Sequence, residues 1–267
     1  MATRHGYAPV NGLQMYYEIE GAGDPLVFIH PALGLAGLEK FPTLTKRHSL
    51  ITLDLQGHGR TADILERPLS IEQYARDVVA LMDYLGVAKA DVLGESYGGN
   101  AAVMMAIRYP DRVGRVAAYS ATFGPATIAH NPEMVRFDVP PTPDSQDTHF
   151  QRESYKQVSP RPDHWPQLWE KVTQIEWSGF SREELASIKA PLLIMVGDRD
   201  FVRVEHALET FRSIAGSELA VIPDAGHFAL YSEPERVIPV VEHFLDKPAE
   251  RSPVAYAGMG YQPGQSR

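Results

Sequence analysis

The sequence of 267 residues contains no cysteine. This absence excludes disulfide bonds, thiolate metal sites and a cysteine nucleophile. No apolar run is long enough to cross a membrane, and the first ten residues lack the charged and then apolar pattern of a signal peptide. We therefore expect a soluble, cytoplasmic protein without a membrane partner.

Positive charge is also scarce. The chain has 25 Lys and Arg residues against 34 Asp and Glu residues, which gives a formal net charge of −9. Binding to nucleic acid needs a local excess of basic side chains, so no nucleic-acid partner is expected. The ten histidines are scattered and lack the close spacing of metal ligands. We expect no metal and no other cofactor.

What the sequence does contain is a series of short apolar runs separated by helical segments. An alternating segment follows the turn signal Asn11-Gly12, and six further runs come after it. Short buried strands that alternate with helices predict an α/β fold with a mostly parallel sheet covered on both faces. The six runs are residues 26–29, 50–53, 91–93, 113–119, 192–196 and 219–222.

Two helices carry the same start signal. Ser70 and Gln73 form a capping-box pattern before an apolar helical period, and Gly86 stands where that helix is expected to end. Ser232 and Glu235 repeat the pattern before the last helical segment. Both serines are therefore predicted as N-caps.

One interval interrupts the regular alternation. About 70 residues separate the fourth and fifth of these apolar runs, whereas a crossover between parallel strands needs about a dozen. We predict a core of residues 1–120 and 191–246, a lid insertion at 121–190 and an irregular tail at 247–267 with no assigned function. The insertion contains four aromatic residues that either line a substrate pocket or pack the insertion onto the core: Phe123, Trp165, Trp169 and Trp177.

The strongest chemical signal is the pentapeptide Gly-Glu-Ser-Tyr-Gly at residues 94–98. It follows the predicted strand 91–93 directly and precedes an apolar helical segment. A serine on such a tight strand-to-helix turn exposes its hydroxyl, and the flanking glycines allow strand and helix to approach each other closely. An ordinary glycine-rich turn is the alternative, but this context favours Ser96 as a nucleophile.

A serine nucleophile needs a base and a group that orients the base. His227 lies on the loop after the last predicted strand, 219–222, which makes it the candidate base. Two carboxylates follow the preceding strand. We favour Asp200 over Asp198, because the turn after a strand usually occupies the first residues, but Asp198 stays open as the alternative.

Ser96, Asp200 and His227 follow one another in the chain order of the α/β-hydrolase superfamily. The chain resembles this superfamily over about residues 10–246, in the branch of small esterases, haloperoxidase-like proteins and C–C bond hydrolases. The resemblance implies an α/β-hydrolase fold with a small helical lid. It also implies an oxyanion hole formed by the backbone N–H groups of Ala32 and Tyr97. Pro31 replaces the usual glycine of that loop and fixes its own φ angle.

These residues predict hydrolysis of a small carboxylic ester, or of a related acyl compound, through an acyl-enzyme. A serine at position 96 disfavours the dehalogenase and epoxide hydrolase chemistries of the superfamily, which use an aspartate nucleophile. Three alternatives stay open: an aminopeptidase, a C–C bond hydrolase with the same triad, and a ligand-binding protein without turnover. In each case a small molecule is the expected partner, and the oligomeric state stays open.

Overall fold

The computed structural model describes residues 3–135 and 141–247. Its eight-stranded sheet has the order β1-β2-β4-β3-β5-β6-β7-β8. β1 pairs antiparallel with β2 and β2 pairs antiparallel with β4, whereas all other neighbours are parallel. The strands are β1 (Arg4–Val10), β2 (Leu13–Glu20), β3 (Asp24–Ile29), β4 (His48–Leu53), β5 (Ala90–Glu95), β6 (Val113–Tyr119), β7 (Leu192–Gly197) and β8 (Glu218–Ile222).

Helices connect the parallel strands. The helices are α1 (Ile71–Tyr84), α2 (Tyr97–Arg108), α3 (Ala126–Ala129), α4 (His149–Val158), α5 (Trp165–Thr173), α6 (Arg182–Ser187), α7 (Val204–Ser213), α8 (Ala229–Ser232) and α9 (Pro234–Leu245). Short 3-10 turns lie at Leu38–Lys40, Leu44–Lys46, Pro110–Arg112, Gln146–Thr148 and Pro162–His164. The predicted α/β-hydrolase fold, with helices flanking a mostly parallel sheet, is confirmed.

Hydrophobic core lies on both faces of this sheet. Val27 and Ile29 of β3 belong to one buried cluster, whereas Leu26 and Phe28 belong to the other. Successive side chains of a strand point to opposite faces, so a strand covered on both faces is apolar at every position. This explains why the inner strands read as continuous apolar runs.

The two predicted N-caps have different outcomes. The Ser70 hydroxyl accepts a hydrogen bond from the backbone N–H of Gln73 at 3.1 Å, as expected. The prediction for Ser232 is wrong: this serine ends α8, and its hydroxyl donates to the Phe228 carbonyl at 2.8 Å. α9 instead begins at Pro234. Proline is tolerated at the first position of a helix, because the N–H of that residue has no partner within the helix.

The interval predicted as an insertion contains α3 to α6 in its described part. Lys171 of α5 joins it to the loop after β4, with its ammonium 2.9 and 2.8 Å from the two carboxylate oxygens of Asp63. α5 therefore lies over the carboxyl end of the parallel strands. Of the tail predicted at 247–267, residues 248–267 lie outside the described ranges.

Candidate active site

Ser96 occupies a sharp turn between β5 and α2. Its backbone has φ 53° and ψ −121°, a combination that non-glycine residues rarely adopt. A Cβ atom at Gly98 would lie 2.1 Å from the carbonyl oxygen of Ile29, and one at Gly94 would lie 2.3 Å from the carbonyl oxygen of Gly98. Glycine is therefore required on both sides, because β3, β5 and α2 meet here.

Two hydrogen bonds connect Ser96 to His227 and His227 to Asp200. The Ser96 hydroxyl lies 2.9 Å from His227 Nε2, and His227 Nδ1 lies 2.9 Å from Asp200 Oδ1. A carboxylate only accepts, so Nδ1 donates to Asp200 and Nε2 is left to accept from the serine. The side chain of Asp198 is instead 42% exposed, and its Oδ1 atom lies 3.9 Å from Nε of Arg199.

The carboxylate of Asp200 has further partners that fix its position. Ser120 donates its hydroxyl to Oδ2, and the backbone N–H of Val202 donates to Oδ1 at 2.9 Å. The His227 ring stacks on Phe201 at a centroid distance of 3.9 Å. Sequence reasoning missed Ser120 and Phe201, because no motif marks either of them.

The backbone N–H groups of Ala32 and Tyr97 donate to no acceptor in the described ranges. His30 holds the loop that carries Ala32: its Nδ1 lies 2.7 Å from the Pro31 carbonyl, and its Nε2 accepts from the Leu55 N–H at 3.1 Å. Burial lowers the pKa of His30 to about 3, so the ring is neutral and can both donate and accept. Sequence reasoning assigned no role to His30.

Glu95 is a buried carboxyl group directly before the serine. Its two oxygens face the backbone of Leu230 and Tyr231 without a hydrogen bond of normal geometry. Burial, with the nearby charge of Asp200, raises the pKa of this carboxyl well above its usual 4.5. Burial therefore favours the neutral form of Glu95 over the charged form beside Asp200.

Trp165 and Trp177 each donate a hydrogen bond to a backbone carbonyl within residues 121–190. The Trp165 indole N–H donates to the Pro143 carbonyl at 2.8 Å, and the Trp177 indole N–H donates to the Thr122 carbonyl at 2.7 Å. Trp169 packs against Trp165, and Phe123 is buried beside Phe180.

A cavity of about 270 Å³ lies beside Ala32 and beside the loop that carries His227. None of the four aromatic residues predicted for the pocket lines it. Its lining is formed by Pro31, Ala32, Leu33, Gly34, Leu35, Phe150, Gln151, Ser154, Phe228, Tyr231 and Ser232.

Within the described ranges, no three His, Asp or Glu side chains are grouped closely enough to hold a metal ion. No helix in the same part of the chain has the length and apolar character needed to span a membrane.

A model of the Alpha/beta hydrolase family matches residues 26–240, which include Ser96, Asp200 and His227. The chain belongs to the alpha/beta hydrolase family. This agrees with the resemblance noted in the sequence and with the strand order of the sheet.

Proteins similar to this alpha/beta hydrolase carry several activities. A 2-hydroxy-6-oxononadienedioate/2-hydroxy-6-oxononatrienedioate hydrolase of Escherichia coli is 27% identical, over 88% of this chain and 92% of the relative. A meta-cleavage product hydrolase from Pseudomonas fluorescens has a TM-score of 0.74 at 21% identity, covering 91% of this chain and 97% of its own. The enol-lactonase from Burkholderia xenovorans has a TM-score of 0.67 at 24% identity, covering 90% and 100%. The two structures show the shared fold.

Proposed function

We propose that this alpha/beta hydrolase cleaves a small carboxylic ester, or a related acyl compound such as a lactone, through an acyl-enzyme. The observation that carries the proposal is the continuous hydrogen-bonded chain from Ser96 through His227 to Asp200, with 2.9 Å at each link. A nucleophile, a base and an orienting carboxylate at these distances match the requirements of acyl transfer.

In the first half of the reaction, His227 Nε2 takes the proton of the Ser96 hydroxyl while the oxygen attacks the substrate carbonyl carbon. The negative charge that forms on the carbonyl oxygen is stabilised by the N–H groups of Ala32 and Tyr97 and by the N-terminal end of α2. The imidazolium then gives its proton to the departing alcohol oxygen, and the acyl group stays on Ser96.

In the second half, His227 takes a proton from water, and the water oxygen attacks the acyl carbon. Collapse of the intermediate returns a proton to Ser96 and releases the carboxylic acid. Asp200 stays ionised throughout and stabilises the imidazolium in both halves.

A C–C bond hydrolase is the second candidate, and the E. coli relative favours it, since 88% of the chain aligns with that protein. The same serine, histidine and aspartate would serve both reactions. An aminopeptidase would need acidic side chains in the lid to hold the substrate amine, and the candidates are Glu133, Asp138, Asp144, Asp147 and Asp163. Glu133, Asp144 and Asp163 are exposed to solvent, and the side chains of the other two lie outside the described part of the chain, so no comparable observation favours an aminopeptidase.

The test is the hydrolysis of p-nitrophenyl acetate, butyrate and octanoate by the wild type and by Ser96→Ala. We expect turnover by the wild type and a loss of at least about 10³-fold in kcat for Ser96→Ala. Ser213→Ala, which removes an exposed hydroxyl of α7, is the matched control and should keep full activity. Equal activity of wild type and Ser96→Ala would exclude Ser96 as the nucleophile.

If the wild type is inactive on all three esters but cleaves a 2-hydroxy-6-oxo-dienoate, the C–C bond reaction replaces ester hydrolysis as the function. If neither substrate class is turned over, both reactions fail, and an aminopeptidase or a ligand-binding protein without turnover takes their place.

A further inference from the structure

Three segments that are far apart in the sequence enclose the cavity beside Ala32. They are the loop 31–35, the α4 residues 150–154 and residues 228–232. The first segment carries a proposed oxyanion N–H group, and the third follows His227 directly. A molecule in this cavity therefore contacts the loop of the proposed oxyanion hole and the residues after His227 at one end, and α4 at the other. The volume of about 270 Å³ lies at the small end of ligand pockets.

All described side chains that line the cavity are uncharged. Two cations next to lining residues have other partners. Arg152, next to Gln151 on α4, donates to the Pro143 carbonyl at 3.1 Å and lies 3.4 Å from the Glu153 carboxylate. Lys40 lies over the face of the Tyr231 ring, with its nitrogen 3.9 Å from the centroid, and lines a separate surface groove. A carboxylate in the cavity would thus lose its water without gaining a partner of opposite charge.

Four of the lining side chains are polar, and the one amide among them is Gln151 on α4. The Oε1 atom of Gln151 is shielded from solvent and has no hydrogen-bond partner among the described residues. A shielded oxygen without a partner is costly, so rotation of the amide towards a substrate group in the cavity that pairs with it removes this cost. An amide rotates to present either its oxygen or its NH2 group, so it can pair with a donor or an acceptor. Ser154 lies three residues further on the same helix face and adds a hydroxyl.

We propose that this cavity binds an uncharged, mainly apolar part of the substrate that carries one hydrogen-bonding group opposite Gln151, and that it discriminates against a substrate with a carboxylate at this position. The inference rests on the proposed function, because it places the acyl chain of the ester in this cavity. Gln151 is a specificity-determining residue in this arrangement and takes no part in proton transfer.

The experiment compares two esters of equal length, 4-nitrophenyl methyl glutarate and 4-nitrophenyl hydrogen glutarate, which differ in the charge at the far end. Spontaneous hydrolysis is subtracted with Ser96→Ala. We expect the wild type to prefer the neutral ester by about 100-fold in kcat/KM. Gln151→Lys places a cation in the cavity and should reduce that preference by at least about 10-fold. Gln157→Lys adds the same charge on the exposed side of α4 and should leave the preference unchanged.

Gln151→Leu keeps the size of the side chain and removes the amide. It should lower kcat/KM for the methyl glutarate ester at least about 10-fold more than kcat/KM for p-nitrophenyl butyrate, which has no polar group at that end. Equal rates of the wild type on the neutral and the anionic ester would overturn the inference and leave the proposed function intact. The inference would also be overturned if Gln151→Lys and Gln157→Lys changed the preference for the neutral ester equally.

If the wild type hydrolyses no ester, the proposed function fails, and binding decides the inference separately. Calorimetric titration of Ser96→Ala with dimethyl glutarate and with monomethyl glutarate then measures the cavity alone. Tighter binding of the neutral compound, with the difference reduced in Ser96→Ala/Gln151→Lys, supports the inference. Equal binding of the two compounds overturns it.

Discussion

Asp198 and Asp200 lie two residues apart after β7, yet their surroundings differ completely. Asp200 is buried and accepts hydrogen bonds from His227, Ser120 and Val202, whereas Asp198 is 42% exposed. We predict that Asp200→Asn lowers kcat for ester hydrolysis by about 10³–10⁴-fold, because an amide can donate to Nδ1 and stabilise the unproductive tautomer. Asp198→Asn, the matched control, should stay within about twofold of wild type in the same steady-state assay. A larger loss in Asp198→Asn than in Asp200→Asn would assign the role to the other carboxylate.

Sequence patterns at the residue scale are most informative where the geometry is local. The glycines around Ser96 mark a turn that only small residues tolerate, and His227 lies on the single loop between the last strand and the last helices. Ser120 and Phe201 could not be foreseen, because their roles depend on the ends of β6 and β7 lying side by side in the sheet. The choice between Asp198 and Asp200 likewise depends on the path of the turn after β7.

The contact between the end of β7 and the loop before His227 is unusually close. A Cβ atom at Gly197 would lie 1.9 Å from the carbonyl oxygen of Ala225, and that oxygen also accepts from the Arg199 N–H at 3.0 Å. We predict that Gly197→Ala displaces the loop and lowers kcat/KM by about 10²-fold, since a shift of about 1 Å in a catalytic group has an effect of this size. Gly226→Ala is the control, because a Cβ atom there meets no atom within 4 Å.

Both glycine variants are to be measured by steady-state kinetics and by thermal unfolding, so that loss of fold is separated from loss of geometry. Wild-type kinetics in Gly197→Ala would show that the loop does not depend on this contact. Equal damage in the two variants would show that alanine is harmful anywhere around the loop.

Helix starts show where local patterns are sufficient and where they are not. At α1 the serine pattern and the helix agree, because the cap and the residue it binds lie within one turn. The same pattern at Ser232 gave a wrong cap, because the chain folds into α8 immediately after the His227 loop and α9 restarts at Pro234. The outcome there depends on how the loop after β8 returns to the sheet, which no four-residue pattern describes.

At the scale of the whole molecule, the alternation of apolar runs and helices was sufficient to predict the sheet, because strands buried on both faces must be apolar throughout. The position and the lining of the cavity could not be predicted from the sequence. Its walls come from segments near residues 33, 151 and 230, and periodicity within one segment does not show which distant segments face each other. Composition makes the four aromatic residues of 121–190 candidates for a pocket, and in the structure two of them, Trp165 and Trp177, donate to backbone carbonyl groups.

The free energy of unfolding of the whole molecule also depends on pH, and this dependence originates in buried histidines. His30 and His58 are fully buried with ring centroids 5.1 Å apart, and burial lowers their pKa values to about 3 and about 4. In the unfolded chain a histidine binds a proton near pH 6.5, so below that pH the unfolded state holds more protons than the folded state. The free energy of unfolding must therefore fall as the pH falls from about 6.5 towards the folded pKa values.

We predict that His58→Gln reduces the pH slope of the unfolding free energy, between about pH 5 and 6.5, by about 1 kcal/mol per pH unit relative to wild type. The measurement is urea unfolding at a series of pH values. His243→Gln, which changes an exposed histidine of α9, should keep the wild-type slope. The slope is the decisive quantity, because a packing defect at position 58 lowers stability equally at all pH values, whereas loss of a titrating group changes only its pH dependence. An unchanged slope in His58→Gln would mean that this histidine is protonated in the folded protein as readily as in the unfolded chain.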